Sequence, residues 1–107
     1  MLYERGRSGE AINRWRRVLA LKPDVAETSL ALAAALHETS PQHQAEALKL
    51  AEQALAEDPN YVNESFQKEQ LWGPKLRAST ARLLAEPALK AAVDRASANA
   101  GSSSDPD

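Results

Sequence analysis

Residues 10–23 read EAINRWRRVLALKP, and residues 46–59 read EALKLAEQALAEDP. Both stretches begin with Glu-Ala and an aliphatic residue, and both continue with apolar side chains at helical spacing. Each stretch ends at a proline, Pro23 or Pro59, which disfavours helical geometry in the residue before it. A pattern that returns after 36 residues is typical of stacked helical hairpins. Such units bury their apolar faces against neighbouring units.

The remaining sequence also shows helical periodicity, and it shows no strand pattern. Asp24, with Glu27 three residues later, and Ser40, before Pro41, are predicted as N-caps. The fold class is therefore predicted to be all-α. We expect helices over residues 10–21, 25–39, 41–57, 62–71 and 74–85, and a last helix that starts near residue 87.

Composition argues against several classes of function. The chain has no cysteine, so disulfides, thiolate nucleophiles and cysteine zinc sites are excluded. No Gly-x-Ser-x-Gly motif or glycine-rich phosphate loop is present, and His37 and His43 do not have the spacing of zinc ligands on one helix. We therefore expect no enzyme activity, no cofactor and no metal site.

Membrane insertion by this segment is not expected either. The longest apolar run covers residues 30–36, which is far short of the ~20 residues that a spanning helix needs. The N-terminal residues lack the apolar segment of a signal peptide. A cytoplasmic or otherwise intracellular compartment is expected, and an anchor upstream of this segment stays an open alternative.

The charge is unevenly distributed along the chain, although the net charge is only -2. Residues 1–22 hold six basic and two acidic side chains, which gives +4. Residues 23–69 hold two basic and nine acidic side chains, which gives -7. An asymmetry of this kind biases the choice of partner, and the acidic middle of the chain favours a basic or amphipathic ligand.

The two proline-terminated helices resemble the second helix of a tetratricopeptide repeat (TPR). In that family this helix carries a small residue, a bulky one four positions later, a small one three later and a proline five beyond that. The first helix of a repeat in that family has a leucine followed by Gly or Ala, and then a bulky residue three positions later. Within residues 25–39 this pattern is matched by Leu32, Ala33 and Leu36. The second-helix positions are occupied by Ala11, Trp15, Val18 and Pro23, and again by Ala47, Ala51, Ala54 and Pro59.

The resemblance implies a TPR-like α-α superhelix, a solenoid of helical hairpins, with C-terminal capping helices. It covers roughly residues 1–66, and its period here is 36 residues rather than 34. The chain enters the first repeat well into that repeat's first helix, so this hairpin nearly lacks one partner. The expected organisation is one domain over residues 1–97, with a partial repeat at 1–24, a complete repeat at 25–59, a partial repeat plus capping hairpin at 60–97, and a disordered tail at 98–107.

The resemblance also implies a function, because TPR proteins commonly hold a peptide or a partner helix in a concave groove. The chain is expected to be a scaffold, an adaptor or a complex-assembly factor. Leu30 and Phe66 would supply apolar contacts, and Glu27 and Glu38 would orient the ligand. The groove positions carried over from the family are Glu27, Leu30, Ala34, His37, Glu38, Asn63, Phe66 and Gln70.

Two alternatives stay open. A second copy of the chain could complete the truncated hairpin, which would make the chain a homodimer with a structural role. Nucleic-acid binding through the Arg14, Arg16 and Arg17 face is less favoured, because Trp15 occupies a core position of the repeat and is not free to stack on bases. Trp72, outside the repeats, is interpreted as a wedge that seats the C-terminal hairpin, and a binding hot spot is the alternative for the same residue.

Overall fold

The structure is a computed structural model that describes residues 2–100, and within this range it contains helices and no strand. The predicted all-α fold is confirmed. Short 3₁₀ turns at Tyr3–Arg5, Pro41–His43, Pro59–Val62 and Pro87–Leu89 precede four of the helices. The six helices are α1 (Ser8–Leu21), α2 (Ala26–Thr39), α3 (Gln44–Glu57), α4 (Glu64–Glu69), α5 (Pro74–Leu84) and α6 (Lys90–Asn99).

Prolines mark most of these boundaries. Pro41, Pro59, Pro74 and Pro87 each lie in the first turn of a helix, where their missing N–H is not needed. The two predicted caps have different outcomes. Asp24 is wrong, because residue 25 is still extended and Val25 is the N-cap of α2. Ser40 is the N-cap residue before Pro41, as predicted, although its side chain makes no capping hydrogen bond.

Helix α2 lies at the centre of the molecule. Every residue from 28 to 36 is buried, so this helix is covered on all its sides. Helices α1, α3 and α5 all pack against it. A helix that is apolar all round belongs in a core, and its four alanines in residues 31–35 let the neighbouring helices approach closely.

The C-terminal helices fold back onto the hairpin that α2 and α3 form. Helix α5 packs along α2, and α6 packs against α3 and the Pro59–Val62 turn. Helix α5 contributes a stripe of buried side chains at helical spacing. These side chains are Leu76, Ser79, Thr80 and Leu83.

Helix α6 overlaps the start of the predicted disordered tail. The helix continues to Asn99, so the first two residues of the predicted tail at 98–107 are helical. Residues 101–107, which hold most of that tail, lie outside the described residues.

Candidate functional site

Five of the predicted groove positions lie on α2, and two of these are not on any surface. Leu30 and Ala34 are fully buried in the core. Their assignment to an open groove is therefore wrong. The reason is that α5 covers the side of α2 that the family comparison left open.

The other three positions on α2 are engaged by the C-terminal part of the same chain. The Trp72 indole Nε1–H donates to Glu27 Oε2 at 3.3 Å. His37 Nε2 lies 2.6 Å from Glu86 Oε2, and Glu38 forms an ion pair with Arg82. The hydrogen bond from Arg82 lowers the pKa of Glu38 below its usual value. The predicted groove face of α2 is thus occupied by α5 and its flanking residues.

The three predicted positions after α3 lie apart from these. Asn63 and Gln70 flank α4 and are exposed, whereas Phe66 is half-buried. The Phe66 ring packs edge-on against Tyr61, with ring centroids 4.8 Å apart. Phe66 therefore belongs to a packed aromatic cluster and does not join Leu30 on an open face.

The aromatic cluster also contains Trp72. Its ring centroid lies 5.5 Å from that of Tyr61, and Trp72 is buried. Burial, followed by the charges of Glu27 and Asp58, raises the pKa of Tyr61 to about 12. The Tyr61 phenol is therefore neutral at ordinary pH, which suits a packing role. The burial of Trp72 fits the wedge interpretation.

The N-terminal residues hold the start of α5. The carboxylate of Glu4 accepts hydrogen bonds from the backbone N–H groups of Lys75, at 3.0 Å, and Leu76, at 2.7 Å. A carboxylate at this position satisfies free N–H groups and complements the helix dipole. Gly73 leaves room for this approach, because a Cβ at that position would overlap the Glu4 side chain in its present position.

A second contact joins the same two segments. The Tyr3 hydroxyl and Ser79 Oγ are 2.6 Å apart in the core. Sequence analysis missed the contacts of both Tyr3 and Glu4, because each partner is more than 70 residues away in the chain. The sequence predicted a helix that starts at residue 74, but nothing local indicated that its capping group would come from residue 4.

An open surface is found instead on α1. Among the described residues, the exposed large hydrophobic side chains are Val18 (37% exposed), Leu21 (84%) and Leu71 (86%). Val18 and Leu21 share one side of α1 with the exposed Arg14 and Arg17, since these four positions have the spacing i, i+3, i+4 and i+7. We call these four residues the α1 strip.

A cleft lies beside the α1 strip. Its volume is about 280 Å³, and its walls come from α1, α2 and the start of α5. Trp15, which is half-buried against Tyr3, forms part of one wall and Trp72 part of another. We call it the α1–Trp72 cleft. Its lining residues are Arg14, Trp15, Val18, Glu27, Thr28, Ala31, Trp72 and Leu76.

The three arginines once grouped as a single basic face have different environments. Arg16 donates two hydrogen bonds to the Glu46 carboxylate, at 2.7 and 3.1 Å, and so ties α1 to α3. This pairing lowers the pKa of Glu46. Arg14 and Arg17 are exposed. The basic surface of α1 is therefore formed by Arg14 and Arg17, with Arg16 turned to an internal partner.

Residues 2–100 contain neither a cluster of metal-binding side chains nor a membrane-spanning helix. The described side chains include no group of three or more His, Asp or Glu residues arranged to hold a metal ion. In the same part of the chain, no helix has both the length and the apolar character needed to cross a bilayer.

Helices packed side by side, with repeated proline-terminated segments, fit a helical-repeat fold. Residues 1–40 match the family model described as TPR repeat, and this match supports a TPR family protein. No curated protein and no solved structure was found to match the chain. The matched family generally consists of protein-interaction modules and is generally non-catalytic, so the similarity indicates a protein-interaction module in general terms.

Proposed function

We propose that the chain is a non-catalytic scaffold, adaptor or assembly factor that binds an amphipathic helix of a partner protein. In this proposal the partner lies along the α1 strip and inserts apolar side chains into the α1–Trp72 cleft. The observation that carries the proposal is the difference in solvent exposure between α2 and α1. The face of α2 is filled by α5, whereas the α1 strip leaves Val18 and Leu21 open to solvent.

The chemistry of the cleft suits such a ligand. Trp and Arg are the residue types that most often dominate binding energy at protein interfaces, and the cleft contains Trp15, Trp72 and Arg14. A helix that lies in a groove presents anchors at i, i+3, i+4 and i+7. The α1 strip has the same spacing, so two parallel rows of side chains can interlock.

The protein carries its own probe for this proposal. Its two tryptophans both line the α1–Trp72 cleft, so intrinsic fluorescence should respond when the cleft is filled. The ligand for the titration is a synthetic helix with leucines at i, i+3, i+4 and i+7 and with glutamine elsewhere on its exposed faces. We expect a saturable change in tryptophan emission.

Two variants make the test specific. Val18→Asp with Leu21→Asp should weaken peptide binding by about tenfold or more, because an aspartate must be desolvated against the leucines. Leu71→Asp is the matched control. Leu71 is as exposed as Leu21 and its φ of 68° is favourable for Asp, so this change should leave binding and folding intact. Unchanged emission in the wild type, or equal weakening by the control, would contradict the proposal.

Other expectations from the sequence stay predictions. Self-association that completes the truncated hairpin would appear in sedimentation as a dimer, and Val18→Asp would abolish that dimer if the α1 strip forms the contact. Nucleic-acid binding would be carried by Arg14 and Arg17 alone, since Arg16 pairs with Glu46. The basic ligand expected along α2 has less support, because Glu27 and Glu38 have partners within the chain. The intracellular compartment also stays a prediction.

A further inference from the structure

We propose that the partner helix is acidic along one flank, and that this flank lies against Arg14 and Arg17. This inference rests on the proposed function and names the chemistry of the ligand for the same site. The α1 strip consists of two exposed arginines interleaved with two exposed apolar side chains. A ligand that matches it has an apolar row beside a row of carboxylates.

The charge of the surrounding region favours the same ligand. The first 22 residues have a net charge of +4, although the whole chain has a net charge of -2. Within this region Arg7 pairs with Glu10, and Arg16 pairs with Glu46. A local positive field speeds the encounter with an acidic partner and disfavours a basic one.

The α2 wall of the cleft sets the orientation. Glu27 lies there, and its carboxylate accepts the hydrogen bond from the Trp72 indole. A helix with carboxylates on both flanks would place some of them near Glu27, where like charges repel. The ligand is therefore acidic on the side that faces Arg14 and Arg17, and uncharged on the side that faces Glu27.

A second copy of the chain fits this surface less well than a different protein does. The net charge of -7 over residues 23–69 would attract the α1 strip of another copy. Contact between two different surfaces of identical chains is heterologous, and it propagates into open assemblies unless the rotation closes a ring. A helix from another protein occupies the strip without that consequence.

The test uses two synthetic helices with the same leucine row and one charged flank. One peptide carries glutamates on that flank, and the other carries lysines at the same positions. Tryptophan emission of the full chain gives both affinities. We expect the glutamate peptide to bind about tenfold more tightly at low salt, because each of two exposed ion pairs contributes a factor of a few. The difference should shrink as salt is added.

A charge-reversal variant sharpens the test. Arg14→Glu with Arg17→Glu should reverse the preference, so that the lysine peptide binds more tightly. Lys68→Glu with Arg95→Glu is the matched control. It changes the net charge equally at two exposed positions on α4 and α6, so the preference for the glutamate peptide should persist. Circular dichroism melts would confirm that each variant is folded.

The possible failures are distinguishable. If the lysine peptide binds the wild type as tightly as the glutamate peptide, or more tightly, the acidic ligand is wrong and the binding surface stands. If neither peptide changes the emission, both the ligand and the proposed function are wrong. If the wild type forms a dimer that Val18→Asp abolishes, the strip belongs to a second copy, which overturns an acidic helix from another protein.

Discussion

Helices α1 and α2 have the same length of 14 residues and pack against each other, yet they have opposite exposures. Residues 28–36 of α2 are all buried, whereas α1 is open along its strip. In the family that the chain resembles, the first helix of a repeat lines the groove, and the sequence pattern assigned α2 to this place. The comparison teaches that a groove position inherited from a repeat is a surface only when no other segment of the chain covers it.

The largest expected effect is the difference in the free energy of unfolding between a substitution in α2 and one in α1. Leu30→Ala removes a fully buried side chain from α2 and should lower the free energy of unfolding by about 2–5 kcal/mol. Leu21→Ala removes an exposed side chain from α1 and should change it by about 0.5 kcal/mol at most. Urea denaturation followed by circular dichroism measures both. Similar losses for the two variants would contradict the assignment of Leu30 to the core.

The next effect concerns the contact by which the N-terminus holds α5 against α2. Glu4→Ala should cost about 1 kcal/mol, because two backbone N–H groups of α5 lose their acceptor. Gly73→Ala should cost a similar amount, since its Cβ would displace the Glu4 carboxylate. Urea denaturation of both single variants and the double variant gives the coupling between them.

The coupling is the decisive quantity. Because both changes remove the same contact, the double variant should lose clearly less than the two single losses added together. Gly9→Ala is a suitable control, since a Cβ at Gly9 meets no atom within 4 Å. Additive losses from Glu4→Ala and Gly73→Ala would mean that Gly73 acts independently of the Glu4 carboxylate.

Local signals predicted most of the fold. Proline positions and apolar periodicity placed all six helices, because both act within a few residues of where they occur. The predicted span 25–39 differs from the observed Ala26–Thr39 by one residue. The predicted span 41–57 corresponds to a 3₁₀ turn followed by α3. The Asp24 cap was wrong because extended backbone at residue 25 delays the helix start.

The candidate site was much less predictable. Leu30 and Ala34 were placed in a groove because the family pattern describes a repeat and not what packs on it. The covering helix, α5, begins 35 residues after α2 ends, and no local pattern announces which face it will cover. The α1 strip could have been found earlier, because Arg14, Arg17, Val18 and Leu21 share one side of a helix. The sequence pattern alone did not show that this side stays open.

A smaller effect tests the core contact between the N-terminal segment and α5. Tyr3→Phe removes the hydroxyl that lies 2.6 Å from Ser79 Oγ and keeps the ring in place. It should cost about 1 kcal/mol, the usual net value of a buried hydrogen bond. Thermal unfolding of Tyr3→Phe, Ser79→Ala and the double variant measures it. If the hydrogen bond matters, the two changes are non-additive; equal and additive losses would contradict it.

The smallest effect is the pH dependence of the stability that two ion pairs contribute. Glu38 and Arg82 join α2 to α5, and Arg16 and Glu46 join α1 to α3. Hydrogen bonds from Arg82 and Arg16 lower the pKa values of Glu38 and Glu46, respectively, below the ordinary value of 4.5. A carboxyl with a lowered pKa in the folded state stabilises the fold above its ordinary pKa. This contribution is lost as pH falls through the folded-state pKa. Acid should therefore remove it only below about pH 4.5.

The two pairs can be isolated with Arg16→Met and Arg82→Met, which keep an apolar side chain and remove the charge. At pH 7 each variant should be less stable than the wild type by about 0.2–1 kcal/mol, since these pairs are partly exposed. Urea denaturation at pH 7 and at successively lower pH values gives the difference. It should shrink below pH 4.5, because the protonated carboxyls no longer form ion pairs in the wild type. A difference that stays constant throughout would show that the arginines stabilise the fold through packing and not through charge.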